Sequence, residues 1–464
     1  MDYTLAVYNS PQYESLAYDL MITRLVEMGY PSSITKLKYD PEFGARGLLF
    51  DTQLGHLLKI DTFGNILTCV HGRQTISKKE IANLYPSFNV PTPEIGKRFH
   101  PLPSLFNLPE ACLYADLIEY FETTHESGVF DFEMDEDTSP RNNNIQLTVS
   151  QSPVKPHMMD NVKPGFKLSY VNLFQDVRAA MDHVHLNGAL KEATLKDMNK
   201  YIRKSPKAAV LFDRFRKTGI KLFLLTNSEF HYTNQVMSYL LNGQNPEYKS
   251  WIDYFDVIIV SAGKPTFFGQ GTTLREVDPT TGHLKIGAIE KFLKGHVYSG
   301  GSIGLFDRMT GAKGNQVLYI GDHIFADIIK SKKIHAWRNL LVIPELEREL
   351  RIWEQNKHLL SKLHNLEFAK AEIFRNLTSE ATQPPNITNL RKQIKDTIEE
   401  INKAYNPYFG SLFSNGSKHT LFSMQMARYA DLYTYDYLNL LNYPLFYHFS
   451  ATYYTLPHQY SDPQ

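Results

Sequence analysis

Two cysteines, Cys69 and Cys112, are all that the 464 residues contain, too few for a disulfide framework. No apolar run approaches the ~20 residues needed to span a bilayer. Lys+Arg number 49 and are cancelled by 49 Asp+Glu, so no global field would draw the chain to nucleic acid or to an anionic membrane. An anionic substrate must be held by a local site. The opening does not read as a signal peptide, because Asp2 and the polar run Asn9-Ser10-Pro11-Gln12 stand where basic and apolar regions would be. A reducing, cytosolic compartment is the expectation. Internal repeats and a glycine-rich phosphate loop of the Walker type are also missing.

What is there is core material, with 42% hydrophobic and 13% aromatic residues, enough for two or three domains. Four short runs stand out in the second half: Lys221-Leu222-Phe223-Leu224-Leu225, Val257-Ile258-Ile259-Val260, Val317-Leu318-Tyr319-Ile320 and Leu340-Leu341-Val342-Ile343. Each has the length and composition of a buried strand, with helix-like stretches between several of them. The pattern predicts a parallel sheet in an α/β domain. The first run leads into Thr226-Asn227-Ser228, the second into Ser261-Ala262-Gly263-Lys264-Pro265, and the third into Gly321-Asp322-His323. Any one of these loops would serve equally well as a helix cap. Together they point to a ligand crevice outside the carboxyl ends of the strands.

The chain divides into residues 1–8, a remnant of the first core motif; 9–200, mainly an inserted cap region; 201–345, the α/β core; and 346–464, a helical, aromatic-rich end. Within the insertion, residues 122–167 carry the acidic run Asp131 to Asp137 followed by Arg141-Asn142-Asn143-Asn144, and read as a solvated or disordered loop. Helical patterns cover Glu345 to Leu363 and Leu390 to Asn406. The aromatic crowding from Leu421 to Tyr454 reads as packed core or subunit contact.

Hydrolysis of a phosphomonoester through an aspartyl-phosphate needs a nucleophilic carboxylate, a second carboxylate as acid and base, a divalent cation, and donors to the phosphoryl oxygens. Asp2 fits the second carboxylate, Thr226 and Asn227 the short donors with Ser228 beside them, and Lys264 the fixed positive charge. Asp322 with Asp327 makes an acidic corner suited to Mg²⁺. The order of these elements along the chain carries more weight than any one spacing.

That ordered set resembles the haloacid dehalogenase superfamily. MDYTLAVY, GLLFDTQLGHLLKID, SLFNLPE, FQDVRAAMDHVH, FLLTNSEFHYT, KPTFFGQGTTLREVD, LKIGAIEKFLKGHVYSGGS, LYIGDHIFADIIKSKK and RYADLY closely resemble the cytosolic purine 5′-nucleotidases of the IMP/GMP-preferring type. The resemblance implies a parallel-sheet core with a large inserted cap and Mg²⁺-dependent hydrolysis of purine nucleoside 5′-monophosphates, with phosphate transfer to nucleosides as a second outcome. It assigns Asp2 as the general acid/base that also lends its carbonyl to the metal, Asp322 as metal ligand with Asp327 in support, and Thr226, Asn227, Ser228 and Lys264 to the phosphoryl group. Phe106 would stack on the base, and Arg178, Asp182, His185 and Lys191 would recognise it. Leu186 stands where the family has a tyrosine.

An ATP-type effector site is implied at Phe325, Lys333, Gln425 and Arg428, in a homo-oligomer, a tetramer by resemblance. Pro103 replaces an effector-contacting asparagine there. In the family motif the nucleophilic aspartate immediately precedes the residue matched by Met1. The expectation is an incomplete sequence, with a truncated isoform as the alternative, and in both cases a chain that does not form the aspartyl-phosphate as written. A nucleotide-binding pseudoenzyme or modulatory subunit is the competing reading.

Overall fold

The computed structural model describes residues 1–123, 169–186, 188–287 and 289–451, and is a mixed α/β structure with five sheets among those residues. Strand β1 (Val7–Tyr8) follows the opening motif. A five-stranded antiparallel sheet comes next, built from β2 (Leu48–Asp51), β3 (His56–Ile60), β4 (Ile66–His71), β5 (Gln74–Thr75) and β6 (Phe99–Leu102), in the order β5-β4-β3-β2-β6. Every residue of β2 and β3 is buried. The helix Asn107–Thr123 packs beside this sheet and is apolar nearly all round, from Ala111 through Ile118, as expected of a helix enclosed on several sides. The helices Gln12–Glu27 and Tyr170–Leu186 flank it, and the rings of Phe50, Tyr114 and Phe174 stack at their junction.

Strand β7 (Ile202–Arg203) pairs antiparallel with β1, so the long insertion returns to where it left. The expected insertion loop lies outside the described residues, apart from Glu122 and Thr123, which close the helix Asn107–Thr123.

The second half carries strands β8 (Phe223–Leu225), β9 (Val257–Val260), β10 (Arg275–Val277) and β11 (Val297–Ser299), in the order β10-β11-β9-β8. They are parallel except for β10. Strands β12 (Leu318–Gly321) and β13 (Arg338–Val342) pair in parallel. A small hairpin of β14 (Ser414–Asn415) and β15 (Lys418–His419) precedes β16 (Leu432–Thr434), which adds to β13. All four apolar runs therefore form strands with parallel neighbours, but they fall in two sheets rather than one. The residues Asp2 to Thr4 join the two sheets at their carboxyl ends: Ser228 Oγ donates to Asp2 at 2.9 Å and Thr4 Oγ1 donates to Asp322 at 2.8 Å.

Helices Leu346–Gln355, Lys357–Arg375 and Thr388–Tyr405 follow the expected patterns. The aromatic end divides: Phe422 and Tyr437 are buried, whereas Tyr433, Phe446 and Tyr447 are exposed. No helix among the described residues is long and apolar enough to cross a membrane.

One buried cation ties the C-terminal arm to the antiparallel sheet. Lys59 Nζ on β3 donates to the carbonyls of Phe409 (2.6 Å), Ser411 and Ser414 (3.2 Å), and burial pulls its ammonium down to about 8. Lys59→Met would leave three carbonyls facing an apolar chain, and a buried acceptor without a donor costs about 1–3 kcal/mol. A loss of about 2–4 kcal/mol in urea unfolding is expected, with the arm becoming accessible to protease before the rest of the chain.

Candidate active site

The second loop expected from the sequence and the segment Ile324–Ile329 that follows the third meet at a buried ion pair. Lys264 Nζ lies 2.8 Å from Asp327 Oδ1 and donates to Tyr319 Oη at 3.0 Å, while that hydroxyl donates to Asp327 at 3.1 Å. Burial alone would strip Lys264 of its proton, but Asp327 and Tyr319 outweigh it and hold the ammonium above its ordinary range. Burial would likewise raise Asp327, and Lys264 reverses this and holds the carboxyl below its usual range.

Asp322 differs. Burial first and the Asp327 charge second push its carboxyl up to about 6, and a carboxylate placed beside another is relieved by a cation. No group of three His, Cys, Asp or Glu side chains arranged to hold a metal occurs among the described residues, and the Asp2 carboxylate accepts from Tyr8 and Ser228. The donor set of two buried carboxylates and nearby backbone fits a hard cation that keeps several waters, as Mg²⁺ does.

The remaining loop residues are locked locally. Asn227 and Lys264 exchange two bonds: Asn227 Nδ2 donates to the Lys264 carbonyl at 3.0 Å, and the Lys264 N–H donates to Asn227 Oδ1 at 2.7 Å. Thr226 Oγ1 accepts from the Ser228 N–H. The backbone is left-handed at Ser261 and Gly263, which turns the chain sharply at the end of β9 and delivers Lys264 back to the crevice.

Beside Asp2 lies an aromatic group. Phe106 stands edge-on to Tyr3 at 4.9 Å and to His185 at 5.0 Å. The His185 ring is pulled down to about 4 by burial and then by the Lys191 charge, so it is neutral, and its buried Nε2 has no partner. Arg178 donates to both oxygens of the buried Glu110 at 2.9 and 2.8 Å, Lys191 pairs with Glu229 at 2.5 Å, and Asp182 is exposed. Phe106 and His185 are thus brought together next to the acid/base candidate, while Arg178 and Lys191 are held by carboxylates.

A model of the 5′ nucleotidase family matches residues 1–461. The chain belongs to this family. A 5′-nucleotidase domain-containing protein of Dictyostelium discoideum is 32% identical over 452 residues, covering 96% of this chain and 69% of the relative. The 5′-nucleotidase domain-containing protein 2 of Rattus norvegicus is 30% identical over 459 residues, covering 95% and 73%. Membership in the 5′ nucleotidase family supports a hydrolase of nucleoside monophosphates.

The residues expected at an effector site also gather. Phe325 is half-exposed on the segment Ile324–Ile329, which packs on the helix Leu421–Tyr429 that carries Gln425 and Arg428. Lys333 Nζ and the Arg428 guanidinium both lie over the Tyr429 ring, at 5.1 and 5.5 Å, and Lys330 lies over Phe325 at 5.0 Å.

Several partners escaped sequence reasoning. Fully buried Arg46 donates to the Asp322 carbonyl at 3.0 Å and makes a two-pronged pair with Glu345 at 2.7 Å. Glu110, Tyr319 and Tyr8 are likewise second partners of assigned residues. Arg46 stands immediately before the quoted segment GLLFDTQLGHLLKID, and Glu110, Tyr8 and Tyr319 lie inside SLFNLPE, MDYTLAVY and LYIGDHIFADIIKSKK, but nothing local in these segments shows which group each side chain meets.

Gly321 is the tightest point of this site. A Cβ there would lie 2.6 Å from Asp327 Oδ2 and 2.7 Å from its Cγ. Gly321→Ala must displace the partner of Lys264, and overpacking of this kind costs about 1–3 kcal/mol. A lower unfolding midpoint together with loss of inorganic-phosphate binding in calorimetry is expected.

Proposed function

We propose that the protein is a Mg²⁺-dependent purine nucleoside 5′-monophosphatase with a haloacid dehalogenase-like core and an inserted cap, acting on IMP and GMP through an aspartyl-phosphate, with transfer to nucleosides as a second outcome. The observation that carries this reading is the convergence of Asp2, Thr226, Lys264, Asp322 and Asp327 at the carboxyl ends of parallel strands in a chain of the 5′ nucleotidase family.

Asp322, Asp327 and the Asp2 carbonyl would hold Mg²⁺, which when bound would neutralise phosphoryl charge. Lys264 and the Thr226 hydroxyl would meet the phosphoryl oxygens. In the first step the bond from phosphorus to the nucleoside 5′-oxygen breaks as the bond to the aspartate forms, and Asp2 gives its proton to the departing oxygen. In the second, Asp2 takes a proton from the water that attacks phosphorus and releases the aspartate. The facing edges of β8 and β12 are unpaired among the described residues. Phe106 and His185 would face the base, with Arg178, Asp182 and Lys191 around it. Phe325, Lys333, Gln425 and Arg428 would take an ATP-type effector in a homo-oligomeric, cytosolic enzyme.

Asp322→Asn should abolish the Mg²⁺-dependent hydrolysis of IMP, followed as phosphate release, while leaving the protein folded. A folded protein that binds IMP and never releases phosphate would favour the nucleotide-binding modulatory subunit.

Specificity separates the cap from the crevice. Asp182→Ala should reduce kcat/KM for IMP and GMP more than for UMP, because hydrogen bonds left unpaired discriminate most strongly. Lys264→Ala should depress IMP, GMP, AMP and UMP alike, by several kcal/mol. Equal losses for all four nucleotides in Asp182→Ala would remove that residue from base recognition.

A further inference from the structure

The Asp2 carboxylate is held from two sides. Tyr8 Oη donates to Oδ1 at 2.6 Å and Ser228 Oγ to Oδ2 at 2.9 Å. Since the single proton of Tyr8 goes to Asp2, the Tyr232 hydroxyl, 2.8 Å away, must be the donor to the Tyr8 oxygen. Tyr8 itself is buried, and its ring lies flat on Tyr13 at 3.8 Å with 10° between planes and edge-on to Tyr3 at 5.0 Å.

A carboxylate torsion is broad when unrestrained, and a general acid acts only when its proton lies on the line to the departing oxygen. Two donors from different elements set the carboxylate plane and leave each oxygen a second lone pair. We propose that Tyr8, backed by Tyr232, is the positioning residue of the Asp2 acid/base, fixing the plane from which the proton reaches the nucleoside 5′-oxygen. The role rests on the nucleotidase reading above. The contact itself does not.

Two measurements separate them. In the chain as it stands, proton NMR on tyrosine-labelled protein should show a hydroxyl resonance far downfield, as a short charge-assisted bond gives, that is lost in both Tyr8→Phe and Asp2→Ala. Its absence from the unsubstituted chain, or its survival in Asp2→Ala, overturns the proposal whatever the activity. Tyr8→Phe keeps the stack on Tyr13 and should lower kcat for IMP by about tenfold at unchanged KM, a part of the 10²–10⁴ that a placed acid–base group supplies. The initial burst of nitrophenol from p-nitrophenyl phosphate, whose leaving group needs no proton, should persist. An unchanged kcat for IMP overturns the proposal, as does an equal loss of the burst, which would mean damaged packing. An unsubstituted protein that turns over neither substrate would instead sink the nucleotidase reading and leave the NMR result to decide the contact.

Discussion

The buried pair of Lys264 and Asp327 is the interaction on which the crevice depends. Each group alone would be neutralised by burial: the lysine would shed its proton and the aspartate would hold one. At 2.8 Å, with Tyr319 bonded to both, each keeps the other charged. A buried ion pair stabilises little against desolvation, but it sets charge at a defined place. A fixed cation thereby stands near a second buried carboxyl, Asp322, which burial and the Asp327 charge push up to about 6.

Arg46 extends that order outward. It comes from the loop before β2, more than 270 residues from Asp322 in sequence, yet it grips the Asp322 carbonyl, both oxygens of Glu345 and the face of Phe422 at 5.0 Å. Four separated parts of the chain therefore meet at one guanidinium, whose planar fork suits simultaneous contacts that a lysine could not make. Phe422 lies on the helix that also carries Gln425 and Arg428. The expected effector residues and the Asp322 loop consequently share a support.

The strands of the core were legible because β-branched and aromatic runs such as Val257 to Val260 have little alternative to burial as a strand. The loops that end them read as a candidate site because their order matches one chemistry. The pairing of these strands was not legible: identical runs serve one sheet or two, and the division into β8-to-β11 and β12-β13-β16 follows from which edges meet in space. The aromatic end was read as packed core or contact, and Phe422 fits the first whereas Phe446, 90% exposed, does not.

The sequence by itself determined the mixed α/β class, the ends of the strands, and the identity of the charged and hydroxyl side chains at them, because these follow from local composition and period. It placed Asp322, Asp327 and Lys264 in one site but could not say that the lysine would sit on Asp327 and not on Asp322. Only the tertiary structure decided this, along with the Tyr8 and Ser228 bonds to Asp2 and the neutrality of His185. Charge state and hydrogen-bond partner are set by burial and by groups as near as 6 and as far as 226 residues away along the chain, and the distances in space exist only once the chain has folded.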